Sequence, residues 1–210
     1  MFRLLLQCLW VLIPVLLLVP GPLHASDSTS HQQQTGVNSG HGFPDDKGFF
    51  ERRTALDISQ AALGNALGSY KLQSSDSNWL NLADLKGKPL LISLIYTSCY
   101  HICPTTTRHL HKAVQEAASL FGRGGFNVLT IGFDTLRDSP PMMAQFREGL
   151  DIEDDNWHFL SADEASIQRI SRELGFIFYS SPHGFDHLIQ LSLMDREQRL
   201  VQQKIGRAHV

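Results

Sequence analysis

Two cysteines four residues apart are the side chains of this sequence best suited to chemistry. Cys99 and Cys103 lie in the segment from Tyr96 to His109. If the intervening residues turn helically, this spacing brings both sulfurs to one side, within reach of a shared ligand or of each other. Two such thiolates bind Cu(I), bind Zn(II) or cycle between dithiol and disulfide, and the spacing leaves all three chemistries open.

An unreactive role is the plain alternative for this pair. The two cysteines would then be inert core residues or a stabilising disulfide. A disulfide that closes so short a loop removes little entropy from the unfolded chain, so stabilisation alone explains the pair poorly. We therefore expect a reactive pair.

The residues around the pair predict a strand before it and a helix after it. Residues 90–95 form an apolar run after Pro89, which is typical of a buried strand. Apolar residues recur at helical spacing over residues 110–121, and Pro104 suits the first helical position because its missing N–H costs nothing there. Cys103 is therefore expected beside a helix N-terminus, where the macrodipole and free N–H groups favour a thiolate.

Composition predicts one folded domain with extra segments at its N-terminus. The chain has 210 residues, of which 42% are hydrophobic. A formal net charge of -3 and a pI near 6.3 give no electrostatic reason to expect nucleic-acid binding. The third cysteine, Cys8, lies in the N-terminal apolar stretch, so a processed domain carries only the pair. In an oxidising compartment such a pair is a disulfide or a protected metal site.

Residues 1–25 are expected to be a secretory signal peptide or a membrane anchor. Arg3 precedes the apolar stretch 4–19, which is shorter than the ~20 residues of a comfortable spanning helix. A cleaved signal is the leading interpretation, and a retained anchor stays open because residues 23–25 are an imperfect cleavage site. Residues 26–48 are rich in polar residues and glycine and are expected to be a flexible linker.

The folded domain is expected over residues 49–204. Strand and helix patterns follow one another in the order ββ-βα-βα-βα-ββ, which predicts an α/β fold with a central mixed sheet flanked by helices. Residues 70–73 and 79–82 are expected to form an N-terminal β-hairpin. Residues 180–187 are expected to be a loop that leads into a strand.

The last six residues, 205–210, are predicted to be a non-native tail. They resemble the conceptual translation of a sequencing-library adapter. We therefore expect the domain to be truncated at its C-terminus, with a natural closing helix missing, and we do not count His209 as a ligand. Re-sequencing the locus tests this expectation, since an intact reading frame ending at Val210 would contradict it.

Several motifs form one pattern along the chain. They are Gly87-Lys88-Pro89, Tyr96-Thr97-Ser98-Cys99-Tyr100-His101-Ile102-Cys103-Pro104, Thr105-Thr106-Thr107-Arg108, Arg137-Asp138-Ser139-Pro140, and Phe185-Asp186-His187 before a strand and a turn led by Asp195. In combination they resemble the Sco/SenC family, which consists of thioredoxin-like, copper-binding proteins concerned with cytochrome c oxidase assembly. The resemblance runs from about residue 63 to residue 203 and implies a thioredoxin-like fold.

The resemblance also implies a ligand set. Cys99, Cys103 and His187 would bind copper, and the same two cysteines would form the redox disulfide. Two thiolates and a neutral imidazole suit Cu(I) and also tolerate Cu(II). Without the family pattern, His187 would be read as an ordinary loop histidine. No catalytic residue beyond the cysteine pair is expected.

Three further residues are expected around these ligands. Asp186, or a backbone carbonyl, is expected to hold the second ring nitrogen of His187. Asp134 is expected to lie near the site. His101, between the cysteines, is an extra potential ligand. A solvent-facing side chain is the leading interpretation for it, and a role in lowering the pKa of the thiolate or in assisting metal transfer stays open. Tyr100 stands where many relatives carry proline, which predicts a less rigid loop.

The function implied by the resemblance is that of an extracytoplasmic, periplasmic copper chaperone for cytochrome c oxidase. Its partner would be the copper-bearing subunit of the oxidase or another copper chaperone, with membrane contact only through an N-terminal anchor. The alternative is a thiol–disulfide oxidoreductase that reduces the cysteines of the oxidase copper site, with Cys99 as the attacking sulfur and Cys103 as the resolving one. A plain oxidoreductase has no use for His187. A peroxiredoxin-like peroxidase is weaker, because only the cysteine pair supports it.

Overall fold

The computed structural model describes residues 50–206, all within one compact unit of the chain. Residues 1–49 and 207–210 lie outside the described residues. They include the predicted signal or anchor (1–25), which contains Cys8, and the predicted linker (26–48). The elements in chain order are α1 (Arg52–Ala61), β1 (Lys71–Ser74), β2 (Trp79–Asn81), a 3₁₀ helix (Leu82–Leu85), β3 (Leu90–Ile95), α2 (Ile102–Phe121), β4 (Asn127–Gly132), α3 (Pro140–Glu148), β5 (Trp157–Ser161), α4 (Glu164–Leu174), β6 (Phe178–Ser181), β7 (Gly184–His187), β8 (Ile189–Met194) and β9 (Leu200–Gly206).

A seven-stranded mixed sheet forms the centre of the described domain. Its strand order is β2-β1-β5-β4-β3-β8-β9, with β3, β4 and β5 parallel and the outer pairs antiparallel. Every residue of β4 is buried, as expected for a central parallel strand that is covered on both faces. The predicted α/β fold, with a central mixed sheet flanked by helices and an N-terminal β-hairpin, is confirmed.

The register of β3 and β4 determines where the cysteines lie. The two strands pair in parallel from Leu90 with Asn127 to Ile95 with Gly132. Their carboxyl ends therefore meet at one edge of the sheet, and the segments that follow them, residues 96–101 and 133–139, are neighbours. We call these segments the cysteine loop and the aspartate loop.

Helix α2 begins earlier than Pro104 predicts. It starts at Ile102 after His101 as its N-terminal capping residue, so Pro104 is the third helical residue and not the first. Proline is tolerated there because the N–H groups of the first turn have no partner within the helix. The predicted placement of Cys103 in the first turn is confirmed, and its side chain is buried.

The segment predicted as a loop, residues 180–187, is largely a β-hairpin. Strands β6 and β7 pair antiparallel, from Phe178 with His187 to Ser181 with Gly184, and form a separate two-stranded sheet. Four-residue strands give too short an alternation to be distinguished from a polar loop by sequence pattern. The correction places His187 on a strand, which orients its side chain more firmly than a loop would.

Strand β9 extends two residues past the expected boundary at residue 204. Ile205 pairs with Gln190 and packs against a second apolar cluster formed by Ala55, Ile177 and Leu188. The origin of residues 205–210 stays a prediction. Among the helices of residues 50–206, none has the length and apolar character needed to cross a bilayer.

Candidate functional site

The two cysteines lie where β3 passes into α2, as predicted. Both are free thiols, Cys99 half-buried and Cys103 only 3% exposed. The backbone N–H of Cys103 donates a hydrogen bond to the sulfur of Cys99 at 3.3 Å. The first turn of the helix thus supplies a donor to the sulfur that solvent can reach.

The two sulfurs differ sharply in acidity. A hydrogen bond from the side chain of Cys103 is the largest cause that lowers the pKa of Cys99, to about 4, against the opposing effect of burial. The backbone N–H groups of Cys103 and His101 and the side chain of Tyr96 add to this lowering. The same hydrogen bond from the Cys99 side, together with burial, raises the pKa of Cys103. The reduced pair therefore holds one thiolate and one thiol at neutral pH.

His187 is held by a backbone carbonyl. Its Nδ1 lies 2.7 Å from the oxygen of Leu188, and because a carbonyl only accepts, Nδ1 carries the proton. Burial lowers the pKa of the ring, so it is neutral and its Nε2 has a free lone pair. Of the two groups expected to hold the ring, the backbone carbonyl does so, whereas Asp186 is exposed and, as an adjacent residue of the strand, points to the opposite face.

Tyr96 connects the cysteine loop with the hairpin that carries His187. Its ring packs edge-on against the ring of His187, with centroids 5.9 Å apart, and against Phe185 at 5.2 Å. Its hydroxyl hydrogen-bonds with Cys99, and burial followed by the charge of Cys99 raises the pKa of Tyr96 to about 12. The hydroxyl therefore stays protonated and available as a donor.

Gly184 makes room for this contact. A Cβ at Gly184 would lie 2.8 Å from the hydroxyl oxygen of Tyr96, and the backbone has a φ of +124°. Only glycine adopts this conformation readily and leaves space for the ring. The close approach of hairpin and cysteine loop thus depends on a residue without a side chain.

Asp138 ties the aspartate loop to the cysteine loop. One carboxylate oxygen accepts hydrogen bonds from the backbone N–H and the hydroxyl of Thr97, at 2.8 and 2.7 Å. The other accepts from the backbone N–H of Asp134 at 2.9 Å. Burial is the main cause that raises the pKa of Asp138 to about 6. A Cβ at Gly132 would lie 2.4 Å from the Cβ of Asp138, so only glycine at this position leaves room for the Asp138 side chain.

The sequence predicts Asp134 near the site, and the structure shows that its neighbour Asp138 makes the contacts to the cysteine loop. The buried carboxylate of Asp134 instead accepts from Arg137 at 3.0 Å, within its own loop. Asp138 already lay in one of the motifs that carried the family resemblance, which was the available signal. Tyr96 likewise lies in the motif that holds the cysteines, and the sequence assigns it no role.

His101 is exposed, and its side chain makes no capping hydrogen bond at the start of α2. It acts on the site through its backbone N–H, which helps lower the pKa of Cys99. The exposed side chain agrees with the solvent-facing interpretation, and a role of the imidazole in metal transfer stays a prediction.

Tyr96 contacts both Cys99 and His187, but the three predicted ligands are not arranged around a common metal position. Within residues 50–206, no group of three or more His, Cys, Asp or Glu side chains has a geometry that could hold a metal ion. The side chains of the two cysteines are hydrogen-bonded to each other. The ring of His187 lies against the Tyr96 ring, whose hydroxyl reaches Cys99. Copper ligation by all three side chains stays a prediction.

A dithiol at a strand-to-helix junction of a central mixed sheet defines this protein as a thioredoxin-like α/β protein. The sequence model of the SCO1/SenC family matches residues 59–207, more than half of the chain. The chain belongs to the SCO1/SenC family.

Individual relatives agree with this assignment. The SCO1 protein homolog of Bacillus subtilis (strain 168) is 24% identical over 124 residues, which cover 59% of this chain and 63% of the relative's length. The structure of Bradyrhizobium japonicum ScoI with copper bound is 27% identical, with a TM-score of 0.55 over 67% of this chain and 88% of that one. BsSco, a member of the Sco family of cytochrome c oxidase assembly proteins with an identified disulfide switch, is 21% identical and shares the fold, with a TM-score of 0.60 over 70% and 86% of the two chains.

Proposed function

We propose that this protein is a periplasmic copper chaperone that delivers copper to the copper centre of cytochrome c oxidase. Cys99, Cys103 and His187 would hold the ion. The observation that carries the proposal is the neutral ring of His187, fixed through Nδ1 on Leu188 and packed against the tyrosine that contacts Cys99. Membership of the SCO1/SenC family and the copper-bound ScoI relative support it.

The donor chemistry suits copper. Two sulfurs and one imidazole nitrogen favour Cu(I), and the imidazole also tolerates Cu(II). Cys99 is already a thiolate, whereas Cys103 must lose its proton, so binding releases one proton per ion near neutral pH. Since the three side chains are not in ligating geometry, binding requires side-chain rotation at the cysteine loop or movement of the β6–β7 hairpin.

Exposure of the sulfurs suggests an order of exchange. Cys99 is half-buried and is reached first by an incoming thiolate, whereas Cys103 is 3% exposed. Copper would arrive at and leave through Cys99, while Cys103 and His187 keep hold of the ion until the acceptor supplies enough ligands. The acceptor would be the copper-bearing subunit of the oxidase or another copper chaperone.

Replacing His187 with alanine tests the metal site. We expect His187→Ala to weaken Cu(I) binding by more than about tenfold, since it removes the nitrogen ligand, and to leave the dithiol reduction potential nearly unchanged. Competition with a chromophoric Cu(I) chelator measures the affinity, and equilibration with glutathione buffers measures the potential. The matched control is His183→Ala, an exposed histidine in the turn of the same hairpin. Equal copper affinity for His187→Ala and wild type would refute the site.

A second candidate function is supported by the acidity of the two cysteines. A thiol–disulfide oxidoreductase needs an accessible thiolate and a buried partner, and Cys99 and Cys103 have these properties. Cys99 would attack a disulfide of the oxidase copper site, form a mixed disulfide and release one partner thiolate. Cys103, on losing its proton, would then attack Cys99, release the second partner thiolate and leave an oxidised pair.

Metal content separates the two functions. Anaerobic copper loading of the protein should give one copper per chain with both pair thiols protected from alkylation if it is a chaperone. A protein that binds no copper but cycles reversibly between dithiol and disulfide would be an oxidoreductase. The proposed periplasmic location rests on the predicted signal or anchor at residues 1–25.

A further inference from the structure

One residue, Tyr96, contacts all three predicted copper ligands. Its hydroxyl hydrogen-bonds with Cys99, and its backbone N–H donates to the sulfur of Cys103. Its ring packs edge-on against the ring of His187. Tyr96 is only 7% exposed, so water competes little for these contacts. The three predicted ligands therefore surround a side chain that is not a ligand itself.

The hydroxyl of Tyr96 has a partner on each side. Its oxygen accepts a hydrogen bond from the backbone N–H of Phe185, in the hairpin that carries His187. Gly184 leaves space for it, since a Cβ there would lie 2.8 Å from the hydroxyl oxygen. Because a phenol both accepts and donates, the same hydroxyl can donate its proton to the sulfur of Cys99. Two consecutive hydrogen bonds thus connect the backbone of the hairpin to the reactive sulfur.

The strength of this connection depends on the redox state of Cys99. The reduced sulfur is negatively charged, and hydrogen bonds to a charged acceptor are stronger than those between neutral groups. A disulfide sulfur is neutral and accepts only weakly. The hydroxyl therefore stabilises the reduced pair more than the oxidised pair.

We propose that Tyr96 is a positioning residue whose hydroxyl holds Cys99 and the hairpin of His187 together in the reduced protein and biases the pair toward the reduced form. The inference rests on the proposed function and adds the group that keeps the dithiol ready for the metal, since thiolates and not disulfides bind copper. Phenylalanine at position 96 would keep the ring contacts and remove both hydrogen bonds of the hydroxyl.

The test is the redox equilibrium of the full-length, copper-free protein with glutathione at neutral pH. Oxidation forms the Cys99–Cys103 bond and breaks the S–S bond of glutathione disulfide, and two electrons pass to the glutathione sulfurs. The proton of Cys103 and one proton from the solvent complete the two glutathione thiols. We expect Tyr96→Phe to raise the equilibrium constant for this oxidation about tenfold, which is a fall of about 30 mV in the reduction potential. Alkylation followed by peptide mass spectrometry measures the fraction of chains with the Cys99–Cys103 bond.

Tyr70→Phe is the matched control. Tyr70 is 5% exposed, and its hydroxyl donates to the carboxylate of Glu173 at 2.7 Å and not to a cysteine. This variant also removes a buried tyrosine hydroxyl, but we expect it to keep the wild-type redox equilibrium. Equal shifts in Tyr70→Phe and Tyr96→Phe would indicate a general loosening of the domain and overturn the positioning role.

Amide hydrogen exchange of Phe185, measured by NMR, gives a second readout in the hairpin. We expect this N–H to exchange about tenfold more slowly in the reduced wild-type protein than in the oxidised one, because the hydrogen bond to Tyr96 is stronger there. In Tyr96→Phe the two redox forms should exchange at the same rate. A redox-dependent rate that persists without the hydroxyl would contradict the connection through Tyr96.

The outcomes separate this inference from the proposed function. A wild-type redox equilibrium in Tyr96→Phe would overturn the role of the hydroxyl and leave the copper chaperone intact. A protein that takes up no copper but shows the expected shift in Tyr96→Phe would overturn the proposed function and support the role of the hydroxyl in the reduced pair.

Discussion

Cys99 and Cys103 are identical in chemistry and opposite in protonation. The hydrogen bond between their side chains and the donors at the start of α2 stabilise a negative charge on Cys99, and burial holds Cys103 as the thiol. One proton is shared unequally between two sulfurs, much as in other dithiol sites at helix N-termini. The reactive group is therefore the single accessible thiolate of Cys99, which lies next to the buried thiol of Cys103.

At the residue scale we predict that alkylation of reduced Cys99 is nearly independent of pH over the neutral range. Since the pKa of Cys99 is lowered to about 4, the thiolate is fully formed from about pH 6 upwards, and the rate falls only as pH drops through about 4. Iodoacetamide labelling, followed by peptide mass spectrometry to separate Cys99 from Cys103 and Cys8, measures the profile.

Tyr96→Phe serves as the companion variant for this experiment. It removes the hydroxyl that contacts Cys99 and keeps the ring that packs against His187. We expect the midpoint of the labelling profile to move to higher pH. A wild-type midpoint near the ordinary cysteine pKa of about 8.5 would contradict the acidity described for Cys99.

At the scale of elements, the ends of α1 and α4 are packed so closely that one backbone position accepts only glycine. Gly175 ends α4 in the left-handed conformation, with a φ of +60°. A Cβ there would lie 2.6 Å from the carbonyl oxygen of Ile58 and 2.8 Å from the Cβ of Ala62. The C-terminal turn of α1 thus rests directly on the end of α4.

We predict that Gly175→Ala lowers the free energy of unfolding by about 2–4 kcal/mol, because it combines left-handed strain with a clash against another helix. Gly64→Ala is the matched control, since Gly64 also has a positive φ, of +91°, but no atom lies within 4 Å of its Cβ position. We expect that control to cost about 1–2 kcal/mol from backbone strain alone. Urea unfolding measures both, and equal losses would show that the helix contact is not tight.

At the scale of the whole molecule, a second apolar cluster joins the first helix to the last strand. Ala55 of α1, Ile177 before β6 and Leu188 before β8 are buried together, and Ile205 of β9 packs against them. The cluster closes the described domain at the outer edge of the sheet, next to the hairpin that carries His187. A substitution that disrupts this cluster is therefore expected to shift the hairpin that carries His187.

We predict that Ile205→Ala lowers the free energy of unfolding by about 1–2 kcal/mol, because Ile205 is partly buried in this cluster. Val201→Ala in the same strand, where the side chain is 51% exposed, should change it by less than about 0.5 kcal/mol. Thermal or urea unfolding distinguishes the two. A silent Ile205→Ala would mean that the end of β9 contributes nothing to the domain.

The sequence by itself determined the local backbone and the reactive chemistry. The apolar run before Cys99 and the helical spacing after Cys103 predicted a strand-to-helix junction, because periodicity records which faces of an element are buried. The order of such elements was enough to predict a mixed sheet, and the combined motifs were enough to indicate the family.

Only the tertiary structure decided which groups surround the sulfurs. Thr97 and Asp138 are 41 residues apart, and their contact follows from the pairing of β3 with β4, which no local pattern encodes. The choice of Asp138 over Asp134, and of the Leu188 carbonyl over Asp186, depends on where each backbone points after folding. The difference in pKa between Cys99 and Cys103 has the same origin, because a pKa is set by burial and by hydrogen-bond donors that folding brings close.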